Sequence, residues 1–141
     1  MQWLSEAIDY GVIGLLGLMC FVAVALTFER VFTYKKIDIE DFKSKKELEL
    51  KLINNLHVIG SIASNAPYIG LLGTVLGIML TFYNIGINSN IDSSLIMVSL
   101  SLALKATAVG LVVAIIAVVA YNSLSKQAKT ILIKWEIHNG E

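Results

Sequence analysis

The chain has 141 residues, of which 56% are hydrophobic and 16% charged, with one proline and ten glycines, a balance too apolar for a soluble domain of this length. Eleven Lys and Arg balance eleven Asp and Glu, so net charge gives no reason to expect a nucleic-acid partner. A single cysteine cannot form a disulfide framework within one chain.

The opening "MQWLSEAIDY" carries Glu6 and Asp9 and no basic residue, the wrong sign for a signal peptide, so the apolar run behind it is expected to be a retained helix. That run, Gly11 to Phe28, is uncharged and about 27 Å long as a helix, enough for roughly 30 Å of hydrocarbon. It defines a first span at about 11–31, with Cys20 packed inside it. Trp3 and Tyr10 on one side and Phe32 and Tyr34 on the other suit interfacial anchors.

The segment 32–66 is charged but periodic. Leu48, Leu52, Leu56, Ile59 and Ala63 recur at steps of three and four, which predicts a helix over Asp41 to Ala66. Lysines there alternate with Asp38, Glu40, Asp41, Glu47 and Glu49, as on a solvated face that can also touch anionic lipid. Pro67 either starts a fresh helix capped by Asn65 or bends a continuous one.

A second span follows at about 67–87, then the loop "NIGINSNIDSS", then a third span at about 94–121. The third run is about 42 Å long as a helix and should project beyond the bilayer. In the tail, 122–141, Leu124, Ala128, Ile131, Leu132 and Trp135 keep helical spacing opposite Lys126, Lys129 and Lys134. This predicts an amphipathic extension of the third span that packs on the Asp41–Ala66 helix.

Seven of the eleven cations lie between spans one and two, three follow span three, and the last is Lys105. The N-terminus and the hairpin loop have none. The positive-inside rule then places the N-terminus and loop outside and the middle segment and C-terminus in the cytoplasm.

Spans two and three each carry a stripe of small and hydroxyl residues. Ala63, Pro67, Gly70, Thr74, Gly77, Thr81 and Asn84 share one face of the second, opposite Ile69, Leu72, Leu76, Ile78 and Leu80. Ala103, Thr107, Gly110, Ala114, Ala117 and Tyr121 share one face of the third. Small residues let membrane helices approach closely, and Gly73 and Gly77 form a small-xxx-small pair. Such stripes are either pure packing seams, with threonines bonded to backbone, or walls whose threonines face a polar lumen or a partner helix.

Lys105 lies about eleven residues into the third span, where insertion costs about 2.5–3.5 kcal/mol. It shares a face with Ser94, Val98 and Ser101 and is expected to face protein or water inside an assembly. None of the three apolar runs contains Asp, Glu or His, and no metal-ligand cluster, phosphate loop or nucleophile–base pair is present. His57 and His138 stand alone in charged segments. The chain is therefore expected to be no enzyme and to need no cofactor or metal; a proton-carrying carboxylate would have to come from another chain.

"APYIGLLGTVLGIM" followed one hairpin later by "ALKATAVGLVVAIIAVVAYN" resembles the ExbB/TolQ family of inner-membrane motor proteins, with the MotA proteins as distant relatives. The resemblance covers nearly the whole chain, and the ExbB branch fits better than the TolQ branch. It implies an all-α, three-span inner-membrane protein, helices two and three extending into the cytoplasm, that assembles as a ring of five. Spans two and three would line a pore holding the helices of a single-span partner, ExbD (or TolR in the Tol system), which contributes an aspartate. Proton flow would drive TonB and outer-membrane import.

The resemblance places Thr74 and Thr107 at two pore threonine positions and makes Gly70, Gly73, Gly77, Thr81, Ala103, Gly110 and Ala114 packing residues of the pore or subunit interface. Two departures stand out. Leu102 occupies the position of a family glutamate, and the family's "AIPAV" becomes Ala114-Ile115-Ile116-Ala117-Val118. Lys105 then either pairs with the partner's aspartate as part of the proton pathway or holds the ring together. Two other functions stay open: a TolQ-type subunit serving envelope integrity, and a non-conducting membrane scaffold.

Overall fold

The computed structural model describes residues 2–88, 90 and 92–140. Among the described residues there are four α-helices, α1 (Gln2–Lys36), α2 (Lys45–Ile53), α3 (Leu56–Ile87) and α4 (Ser93–His138), with a 3₁₀ turn at Ile39–Asp41. α1, α3 and α4 are each long and apolar enough to cross a membrane. They form one bundle in which α3 and α4 are an antiparallel pair and α1 lies along both.

Two cores hold the bundle. In the apolar half, Leu16 and Ala23 of α1 pack against Ile62 and Ala66 of α3 and Val113, Ala114 and Ala117 of α4. In the charged half, Leu48 and Leu52 of α2 join Tyr34, Leu56, Ile59, Leu124, Ala128 and Trp135. The tail thus continues the third apolar run as one helix and packs on the 41–66 segment, as its spacing predicts.

That segment is not one helix. α2 starts at Ser44, whose hydroxyl accepts the Lys46 N–H at 3.2 Å, and stops at Asn54. Asn55 then takes a left-handed conformation, φ 68°, which asparagine tolerates better than most residues. The break frees carbonyls at the end of α2, and α1 supplies donors for them. The buried Arg30 guanidinium donates to Lys51 O at 2.8 Å, and the Tyr34 hydroxyl to Leu52 O. Tyr34 is therefore a core residue and not the interfacial anchor its position suggested; a hydroxyl spent on a buried carbonyl cannot reach the headgroups.

α3 runs unbroken through Pro67, and Asn65 caps nothing; its amide donates to Ser61 O at 2.8 Å. Leu80, expected on the outward face of α3, is buried and lines a small cavity together with Ile8 of α1. Much of the remaining apolar surface is uncovered: Phe21, Leu72, Met79, Phe82, Val112 and Val119 are all exposed. A bundle that leaves such residues bare is built for lipid or for further copies.

Candidate functional site

The α3–α4 seam leaves no room for a Cβ at several of its glycines. A Cβ added to Gly70 would lie 2.7 Å from Ala106 O, and one on Gly110 would lie 2.7 Å from Ala66 O. Both are backbone atoms, so a side chain fits there only if the two helices part. A Cβ added to Gly77 would lie 2.8 Å from Ala103 Cβ, and one added to Gly73, where three helices converge, 2.9 Å from both Ala106 Cβ and a Val12 methyl.

The close approach brings two hydroxyls together. Thr74 Oγ1 donates to Ala103 O across the seam at 2.9 Å, and it is hydrogen-bonded to Thr107 Oγ1. Each hydroxyl has one proton, so a consistent order runs from Thr107 to Thr74 to the Ala103 carbonyl. Thr107 Oγ1 also lies 3.5 Å from Gly70 O, so its proton has a second acceptor within reach. Among the described residues these are the side-chain hydrogen bonds that join α3 to α4. Thr74 is buried, whereas Thr107 keeps one side open.

Seven of the residues singled out from sequence therefore meet in one seam: Gly70, Gly73, Thr74, Gly77, Ala103, Thr107 and Gly110. Ala114 continues the same line into the core with Leu16. Thr81, one turn beyond Gly77, spends its hydroxyl on Gly77 O at 2.9 Å. Lys105 is not part of this group. It precedes Thr107 by two residues, about 200° round the helix. It is exposed on the face of α4 turned away from α3, beside Ser101 and Val98.

Two features escaped the sequence reading. Ala66 and Ala106 are as much part of the seam as the glycines, and their place one turn from Gly70 and Ala103 could have shown it. The Arg30–Tyr34 clamp could have been sought from Asn54-Asn55, a helix-breaking pair that needs donors for the carbonyls before it.

The sequence profile of the MotA/TolQ/ExbB proton channel family matches residues 26–137. The chain belongs to this family. It is similar to the "Biopolymer transport protein ExbB" of Aquifex aeolicus, 50% identical over 141 residues, covering 100% of this chain and 95% of that protein. A "Putative biopolymer transport protein ExbB-like 2" of Helicobacter pylori is 46% identical over 134 residues, 95% of this chain and 89% of the relative. The "Tol-Pal system protein TolQ" of Haemophilus influenzae is 41% identical over 86 residues, 61% of this chain but 37% of that protein. With three candidate spans, this member of the family is a multi-pass membrane protein, and its full-length similarity lies with the ExbB branch.

Proposed function

We propose that the protein is the channel subunit of a TonB-type energy transducer in a bacterial inner membrane. It would form a ring, of five copies, around an ExbD-type single-span partner that carries a membrane aspartate. The supporting observation is the Thr74–Thr107 hydroxyl pair, set in the apolar half of the bundle and open on the Thr107 side. Hydroxyls accept and donate, so this pair can hand a proton or a water contact to a carboxylate on a neighbouring helix, a group that the apolar runs of this chain do not contain. A proton crossing 100 mV releases about 2.3 kcal/mol, enough to bias a rearrangement of the partner.

Thr107→Val keeps shape and volume but removes the hydroxyl on the open side. The expected outcome is loss of proton-driven import with the assembled complex recovered in normal amount; unchanged import sinks the pore role. Thr107→Ser should retain most of the activity.

One observation favours a different reading. Thr74 is buried and its hydroxyl is satisfied within the chain, as in a seam that only packs. A non-conducting scaffold would show no proton flux in vesicles holding both this chain and its partner. A TolQ-type role is supported less well, since the TolQ match covers 61% of the chain. Detergent sensitivity without loss of nutrient uptake on deletion would favour it.

A further inference from the structure

We propose that Lys105 and Asp9 of the same chain form an ion pair at the membrane-embedded end of the groove between α1 and the α3–α4 hairpin. The pairing rests on the membrane assignment alone and is independent of any pore or transport role.

Lys105 is the one charged residue of α4 between Asp92 and Lys126, and among the described residues it makes no hydrogen bond or ion pair. A helical lysine leans toward the N-terminus of its helix, which brings the ammonium alongside Leu102 and Ser101, on the hairpin side. Leu102 and Val98, one and two turns before Lys105, line a groove of about 640 Å³ whose other wall carries Glu6 and Asp9. At its inner end Asp9 stands with Leu102, Ala103 and Gly77. Asp9 also shares a face of α1 with Val12, which meets Gly73, and with the fully buried Leu16, so it is turned toward the bundle. The depth of the carboxylate is therefore the depth to which the lysine reaches.

No other carboxylate of the described chain competes. Asp92 is thirteen residues ahead of Lys105, about 20 Å along α4, and Glu29 is about 30 Å along α1 from Asp9. Glu6 is about 4.5 Å further out than Asp9 and is exposed, where Asp9 is half-buried. Charges inside a membrane pair with one another when a partner is in reach, and here the partner lies across one groove. The pair would pin the start of α1 to α4. It also gives Lys105 a counter-ion of its own, so a partner chain's aspartate need not serve as one.

The test uses the full-length chain in its native membrane, with Cys20→Ser as background and Asp9→Cys with Lys105→Cys added. A short thiol-to-thiol crosslinker should join the two within one chain, seen as a linked peptide pair in a band of monomer size. Val12→Cys with Ala106→Cys, residues that would both meet a Cβ at position 73, is the control for reactivity. A link between two chains, or none where the control links, overturns the proposal. The cysteine pair carries no charge, so it reads proximity even where altered charges stop insertion. In parallel, Asp9→Lys and Lys105→Asp should each lower the membrane-inserted chain at least threefold, and the double reversal should restore it to within twofold. A double no better than the singles also overturns the pairing.

Discussion

Not all glycines of this chain do the same work. Gly14 and Gly86 have nothing within 4 Å of a hypothetical Cβ, whereas Gly70 and Gly110 each face a carbonyl oxygen of the opposite helix. Gly70→Ala should therefore cost about 1–3 kcal/mol, since the methyl can be accommodated only by parting α3 from α4. Gly14→Ala should be neutral or stabilising by about 0.5–1 kcal/mol, the backbone-entropy difference between the two residues. Denaturation of the purified protein in detergent measures both. The stripe that holds Gly70 and Gly110 is legible in the sequence, because small residues repeat at helical spacing. Which glycines touch backbone is not, because that depends on the register of the hairpin. Lys105 shows the same limit: its rarity marks it and its spacing sets it opposite Thr107, but only the placement of α3 reveals which of the two faces the seam.

At the scale of elements, the break between α2 and α3 is the feature that periodicity hides. Leu48, Leu52, Leu56 and Ile59 keep helical spacing across Asn54-Asn55 because both helices present their leucines to the same core. The spacing is real and the continuity is not. What stabilises the break comes from twenty-one residues away, where Arg30 donates to Lys51 O. Arg30 is fixed in turn by Glu29 at 2.6 Å and lies 5.8 Å from the Tyr34 ring centroid. Arg30→Met should cost about 1.5–3 kcal/mol, the range for a hydrogen bond from a charged donor, and Tyr34→Phe about 1 kcal/mol. Hydrogen exchange should localise the loss: amides of α2 lose protection while those of the α3–α4 seam keep theirs.

For the whole molecule, the topology expected from charge can be tested without reference to transport. Cysteine placed at Asn90, in the hairpin, should react with a membrane-impermeant thiol reagent added outside intact cells. Cysteine at Gln127, on an exposed face of α4, should react only after the membrane is opened. The reverse pattern would overturn the N-out orientation. The fold class and the three spans are visible in composition and in the three apolar runs, since few folds can bury so much apolar sequence in so short a chain. The packing of the tail on the 41–66 segment is legible for a related reason: both are amphipathic, and each is the nearest apolar face for the other.

α4 is continuous from Ser93 to His138, with no proline between Thr107 and Trp135 and with Gly110 held inside the helix. Those two residues are about 42 Å apart along the axis, so α4 is a lever whose load arm stands outside the apolar half. A tilt of about 5° at the threonine pair moves the far end by about 4 Å, more than a hydrogen bond tolerates. At that end Trp135 Nε1 donates to Phe42 O at 3.0 Å, and Lys45 pairs with Glu136. A small rocking of the seam would thus be felt first in the link between 42–45 and the tail.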